Sequence, residues 1–177
     1  MSIAAVIRFT GAGLVIASGA LCGSFAAGRL ERRLRVLEEL RAALERLITL
    51  VEYQAAPLAA ALDDAARPCS GAPRAFLERV SENLRSGDGA PAGKAWASAL
   101  DSLGAGLLVD RADIEALRLL GPALGGSDRK DQARHFASMI GKLGVHIGEA
   151  RDRSAKYALL YRQMGLLCGA LVALMLV

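Results

Sequence analysis

Two uninterrupted apolar runs, one towards each end of the chain, frame a middle region in which apolar residues recur every three or four positions. Phe9 to Ala27 is a run of 19 residues without a charge, about the length that crosses a bilayer as a helix. Leu159 to Val177 is apolar except for Arg162 and Gln163. It is long enough to span if Arg162 snorkels towards the headgroups and Tyr161 sits in the interfacial belt. Between the runs, Leu30, Leu34, Leu37, Leu40, Leu44, Leu47 and Val51 form one stripe at helical spacing. That first helix, over about Arg29 to Tyr53, is expected to continue the N-terminal run unbroken.

Glycine and proline punctuate the rest. The pattern predicts a helix opening near Pro57 and ending before Pro68. A second opens at Pro73 and runs to about Arg85, with Phe76, Val80 and Leu84 inward. Ser86 to Gly93 reads as a loop, and Ala95 to Leu103 as a short helix carrying Trp96, the single tryptophan, as a core plug. Asp110 with Asp113 marks an N-cap and a capping box for a helix reaching Leu124. Gly125, Gly126, Ser127 and Asp128 end one helix and start the last. In that helix Ala133, Phe136, Ile140, Leu143, Ile147, Ala150 and Ser154 alternate at steps of three and four. Gly141, Gly144 and Gly148 beside this seam predict close contact with a neighbouring helix.

The expected fold is all-α: a cytoplasmic helical bundle built on an antiparallel pair of N- and C-terminal helices, with one transmembrane helix at each end. The expected division is residues 1–27, 28–158 and 159–177. Both apolar ends enter the membrane from one side, so the first and last cytoplasmic helices, Arg29–Tyr53 and Asp128–Lys156, are expected to run antiparallel, each rising about 40 Å at 1.5 Å per residue. A distal tip is expected from Tyr53 to Leu58 and from Gly125 to Gln132.

Charge supplies the orientation. Arg29, Arg32, Arg33 and Arg35 directly follow the first apolar run, whereas only Arg8 and the terminal amine precede it. Positive charge stays on the cytoplasmic side, which places both termini outside and the middle inside. The alternative for the first run is a cleaved leader, with Arg8 as its basic start and small residues Ser24, Ala26 and Ala27 near a cleavage point. The formal net charge of +4 invites a nucleic-acid reading. No basic stripe interleaves with stacking aromatics, so no nucleic-acid partner is expected. Gly19 with Gly23, and Gly165 with Gly169, are spaced so that helix backbones approach closely in lipid, and the two ends are expected to pair with one another or with partner helices.

Candidate chemistry is sparse. His135 and His146 stand eleven residues apart on one predicted helix, about 16 Å, too far to share a metal ion. The cysteines Cys22, Cys69 and Cys168 show no ligand spacing, and neither a phosphate-loop motif nor a nucleophile elbow occurs. Glu38, Glu39 and Glu45 interleave with Arg41 and Arg46, as on a solvated helix face. The expectation is a chain without catalytic residues, cofactor, metal or small-molecule substrate. Its two possible roles are a membrane scaffold or a membrane-anchored helical signalling or receptor module.

Several pieces in order resemble the stage III sporulation protein AB family of endospore-forming bacteria. They are the N-terminal anchor, Arg41-x-x-Leu44-x-x-Leu47, Glu52-Tyr53, Pro57-Leu58 and Ala95-Trp96. Leu124-Gly125-Gly126-Ser127-Asp128 with Asp131-Gln132, and Tyr161-Arg162-x-x-Gly165-x-Leu167-x-Gly169, complete the set. The resemblance implies a relative of the type II secretion F platform protein, in a secretion-like channel between mother cell and forespore. The domain would face the mother-cell cytoplasm. Its natural partner there is a secretion-type ATPase of the same operon, similar to stage III sporulation protein AA, besides the channel's other membrane subunits. On this reading Glu52, Tyr53, Ser127, Asp128 and Gln132 form the expected partner-binding tip.

Overall fold

The computed structural model describes residues 3–54, 56–86, 91–125 and 129–176, and among them only helices occur as regular structure. The elements are α1 (Ile3–Gln54), α2 (Leu58–Ala66), α3 (Gly71–Ser86), α4 (Ala92–Leu103), α5 (Arg111–Arg118) and α6 (Arg129–Leu176), with 3-10 turns over Gly104–Leu107 and Gly121–Gly125. The all-α expectation holds, and α1 is unbroken through Gly28.

Four of the five prolines sit at helix boundaries. Pro57 and Pro91 flank the starts of α2 and α4, and Pro68 follows the end of α2. Pro73 occupies the first turn of α3, where its missing N–H is not needed. Pro122 lies inside the second 3-10 turn. The helix expected to reach Leu124 therefore stops at Arg118, because Gly121 and Pro122 cannot carry the α-helical ladder forward. Helix α4 begins earlier than expected, at Ala92.

The chain divides into two compact units at 32/33 and 149/150, within both long helices. Unit 1 comprises residues 1–32 and 150–177, where α1 and α6 pair antiparallel. Ala27, Ala158 and Ala173 are buried, whereas Leu14, Leu21, Phe25, Leu167, Leu171 and Leu174 are exposed. Small side chains face inward and large ones outward, the reverse of a water-soluble pair. Each long helix has a window long and apolar enough to cross a membrane, and only 11% and 17% of those windows is buried by the rest of the chain. Neither window is buried as the core helix of a globular domain would be.

Unit 2, Arg33–Glu149, closes on an apolar core. Leu37, Leu40, Leu44 and Leu47 of α1 are buried, as are Leu62 of α2 and Phe76, Leu77 and Val80 of α3. Leu84 is only half-buried, and Leu77 takes the inward place expected for it. Trp96 of α4 is fully buried edge-on to Phe76, with ring centroids 4.8 Å apart. Its indole N–H donates to the Leu117 carbonyl at 2.7 Å, which satisfies the one polar atom a buried tryptophan must place. Gly121 lets its turn approach this ring, since a Cβ there would lie 3.0 Å from Trp96 Cδ1. Ile140, Leu143 and Ile147 of α6 are buried at the expected phase.

The expectation of close helix contact fails at Gly141 and Gly148. A Cβ on Gly141 or Gly148 would meet nothing within 4 Å, and one on Gly144 only the Arg41 guanidinium at 3.5 Å. Gly141 and Gly148 are exposed, outside the seam phase of Ile140, Leu143 and Ile147, whereas Gly144 is half-buried.

Candidate functional site

The four glycines singled out for helix pairing meet one another within unit 1. A Cβ added to Gly19 would stand 2.5 Å from the Gly165 carbonyl oxygen and 3.0 Å from Gly169 Cα. One added to Gly165 would stand 2.5 Å from the Gly19 carbonyl oxygen and 2.9 Å from Gly23 Cα. Gly169 faces Ile16 Cα at 3.0 Å by the same construction, and Gly23 faces the Tyr161 carbonyl. No residue larger than glycine fits at these positions without separating the helices. Such backbone contact supplies dispersion and Cα–H···O contacts where lipid removes the hydrophobic drive. Cys22 and Cys168 are exposed and unpaired with each other.

Arg162 has an acidic partner on the neighbouring helix. Its guanidinium donates to Glu31 Oε1 at 2.8 Å across the helix pair. Both side chains are substantially exposed, so the pair contributes little to stability in water, but it brings an acid to the one cation inside the C-terminal run.

In unit 2 the largest polar cluster is one that the residue pattern did not assemble. Arg33 is turned inward and 6% exposed. It donates from Nε to Asp113 Oδ2 at 2.8 Å and from Nη2 to Oδ1 at 3.0 Å, a bidentate fork, while Nη1 pairs with Asp110 at 2.8 Å. Asp113 is fully buried and accepts the Asp110 backbone N–H at 2.9 Å, as the capping-box spacing predicts. His146 Nδ1 of α6 lies 3.1 Å from Asp113 Oδ1. Burial alone would raise the Asp113 carboxyl. The Arg33 hydrogen bonds, the Asp110 N–H and the nearby charges of Arg33 and His146 outweigh it and hold the carboxyl below its ordinary range. The bond to Asp113 likewise holds the Arg33 guanidinium above its ordinary value.

The cluster ties α1, α5 and α6 together at one point. Arg33 is therefore not one of four headgroup cations; Arg29, Arg32 and Arg35 remain exposed. A clue was present in the spacing. Arg33 stands at i, i+4, i+7 and i+11 with Leu37, Leu40 and Leu44, and Asp113 at the same steps with Leu117, Leu120 and Leu124. A charge in the apolar phase of two helices signals a buried pair.

Chemically the cluster binds and positions but offers no nucleophile. Among the described residues no three His, Cys, Asp or Glu side chains could share a metal. Burial, helped by the Glu39 charge, pushes the Cys69 thiol up, away from reactivity. Of the expected partner-binding tip, Glu52 is exposed at the end of α1, and Tyr53 and Gln132 lie in α1 and α6. Ser127 and Asp128 lie outside the described residues.

The family described as stage III sporulation protein AB matches residues 8–177. Stage III sporulation protein AB of Bacillus subtilis (strain 168) is 26% identical over 171 residues, covering 97% of this chain and 99% of that protein. A solved structure of stage III sporulation protein AB is similar with a TM-score of 0.65 and 26% identity, over 70% of this chain and 96% of that one.

Proposed function

The chain belongs to the stage III sporulation protein AB family, and from that premise we propose that it is a membrane-anchored scaffold subunit of a secretion-like channel used in endospore formation. The observation that carries this reading is the division of labour within the chain. The two apolar helix ends form a pair with small residues inside and large apolar residues outside, while Arg33–Glu149 forms a bundle with a conventional apolar core. The exposed Arg29, Arg32 and Arg35 favour a cytoplasmic bundle with both termini outside. In the sporangium that membrane is the mother cell's, around the forespore.

The bundle then docks a cytoplasmic secretion-type ATPase, with the exposed Glu52 and with Tyr53, Ser127, Asp128 and Gln132 as the proposed contact residues. Scaffolding rather than catalysis fits a unit whose polar cluster is consumed in holding three helices.

Two experiments test this. Protease added to intact protoplasts should spare the bundle and cut it only after lysis; digestion from outside overturns the topology. Full-length protein carrying Tyr53→Ala with Asp128→Arg should stay folded but lose co-purification with the ATPase. Undiminished binding defeats the docking proposal.

A further inference from the structure

Within unit 1, α6 carries a polar side chain that the helix pair does not use. Gly165 and Gly169, with the buried Ala158 and Ala173, mark the side of α6 turned towards α1. Gln163, two residues before Gly165, lies about 200° around the helix from it, and its side chain is exposed on that opposite side. It makes no hydrogen bond to any described residue. Its polar neighbours in the apolar ends are served within the chain. Ser18 donates to the Val15 carbonyl at 2.8 Å, and Arg162 to Glu31 at 2.8 Å. A serine such as Ser24 can also turn its hydroxyl onto a carbonyl of its own helix, an option that a glutamine amide lacks.

Gly23 gives the depth of this amide. A Cβ on Gly23 would meet the Tyr161 carbonyl and Gly165 Cα, so Gln163 is level with Gly23. That is four residues, about 6 Å, inside the uncharged run that closes at Ala27. Arg162 starts from the same depth and spans the distance to Glu31, whereas the glutamine side chain is two atoms shorter. On the membrane-anchored reading above, on which this inference rests, the amide faces hydrocarbon, where lipid tails offer it no partner. Leu160, Leu167 and Leu174 lie on the same side of α6, with exposures of 44%, 64% and 82%. Together with Gln163 they are spaced by three, four and seven residues, the repeat of a left-handed helix–helix seam. Beside it, an open groove lined by Arg162, Gln163, Leu166 and Leu167 has room for a side chain from a facing helix.

We infer that this outer face of α6 is a self-association seam: a second copy of the chain packs its own α6 here, parallel and in register, with the two Gln163 amides bonded to each other. An amide carries both donors and an acceptor, so two of them satisfy one another by reciprocal N–H···O bonds. Copies anchored in one membrane with one topology bring Gln163 to the same depth without adjustment. A two-fold axis along the bilayer normal then sets amide against amide and leucine against leucine. The face is electrically neutral, since Glu31 already balances Arg162, so its chemistry suits a second copy rather than a charged headgroup.

The test uses the full chain with Cys22→Ala, Cys69→Ala and Cys168→Ala, in vesicles of phosphatidylcholine and phosphatidylglycerol. A single cysteine is placed at Leu167→Cys, on the seam, or at Leu14→Cys, exposed on α1, and a copper–phenanthroline oxidant is added. Leu167→Cys should give a covalent dimer that Leu14→Cys does not. Association of fluorescently labelled chains, followed by energy transfer as lipid is added, should weaken about threefold to thirtyfold in Gln163→Leu. Gln163→Asn, which keeps an amide, should retain most of it. A dimer indifferent to Gln163→Leu overturns the inference, as does equal cross-linking at both cysteines. A chain that stays monomeric overturns it too, and lipid alone then covers this face. In native membranes, a Leu167→Cys adduct with a protein of different mass means another protein's helix and overturns the second copy equally. Chains that alkaline carbonate strips from the vesicles remove the anchoring and this inference together, whereas chains retained without a dimer remove this inference alone.

Discussion

Asp113→Ala removes the carboxylate on which the buried cluster depends. The Arg33 guanidinium then keeps only Asp110, whose side chain is 52% exposed, on Nη1. Nε and Nη2, both bonded to Asp113 at present, are left inside with no acceptor. Breaking one side of a buried pair costs roughly 3–5 kcal/mol; with Asp110 retained, the low end applies, about 3 kcal/mol. At roughly 4 °C per kcal/mol for a unit of this size, the melting temperature falls by about 12 °C. Trp96 is the single tryptophan and is fully buried in unit 2, so its emission in detergent-solubilised full-length protein reports this unit alone. The decisive comparison is Arg33→Leu with Asp113→Leu. Replacing the whole pair by apolar side chains removes the orphaned charge and should recover most of the loss, leaving a residue of about 1 kcal/mol for the lost Asp113 cap on the Asp110 N–H. A single variant that melts within about 1 kcal/mol of the parent would refute a buried, desolvated pair. So would a double variant as unstable as the single one.

The same carboxyl predicts an acid response. Its folded value lies below the ordinary range, so its stabilisation is complete above about pH 4 and is lost as pH falls through the depressed value; Asp113→Asn should flatten the Trp96 stability profile in that acidic window. Gly19→Ile or Gly165→Ile forces a side chain into space where a Cβ already meets a carbonyl oxygen at 2.5 Å, at a cost of about 1–3 kcal/mol or more. Spin labels on the lipid-facing sides of α1 and α6 should report a wider helix pair, whereas Gly13→Ala, with open space around it, should leave the distance unchanged. Gly141→Ala and Gly148→Ala meet nothing within 4 Å and should each raise stability by about 1 kcal/mol, read from the Trp96 melt.

Much of this molecule is written in local pattern. Spacing of three and four residues, with prolines at 57, 68, 73, 91 and 122, is enough to outline the helices, because periodicity and a missing N–H act within a turn or two of backbone. The same holds for the apolar ends and the glycine pairs 19/23 and 165/169, whose composition alone marks them as close-packing helices in lipid. What required the tertiary structure is which members of a pattern turn inward. Four arginines follow the first apolar run and look alike in sequence, but Arg33 is buried because Asp113, eighty residues on, meets it there. Gly141 and Gly148 look like packing glycines but open onto space, because the neighbouring helix lies on the seam side. Local preference selects the elements; desolvation and pairing between residues far apart along the chain decide which face of each is used.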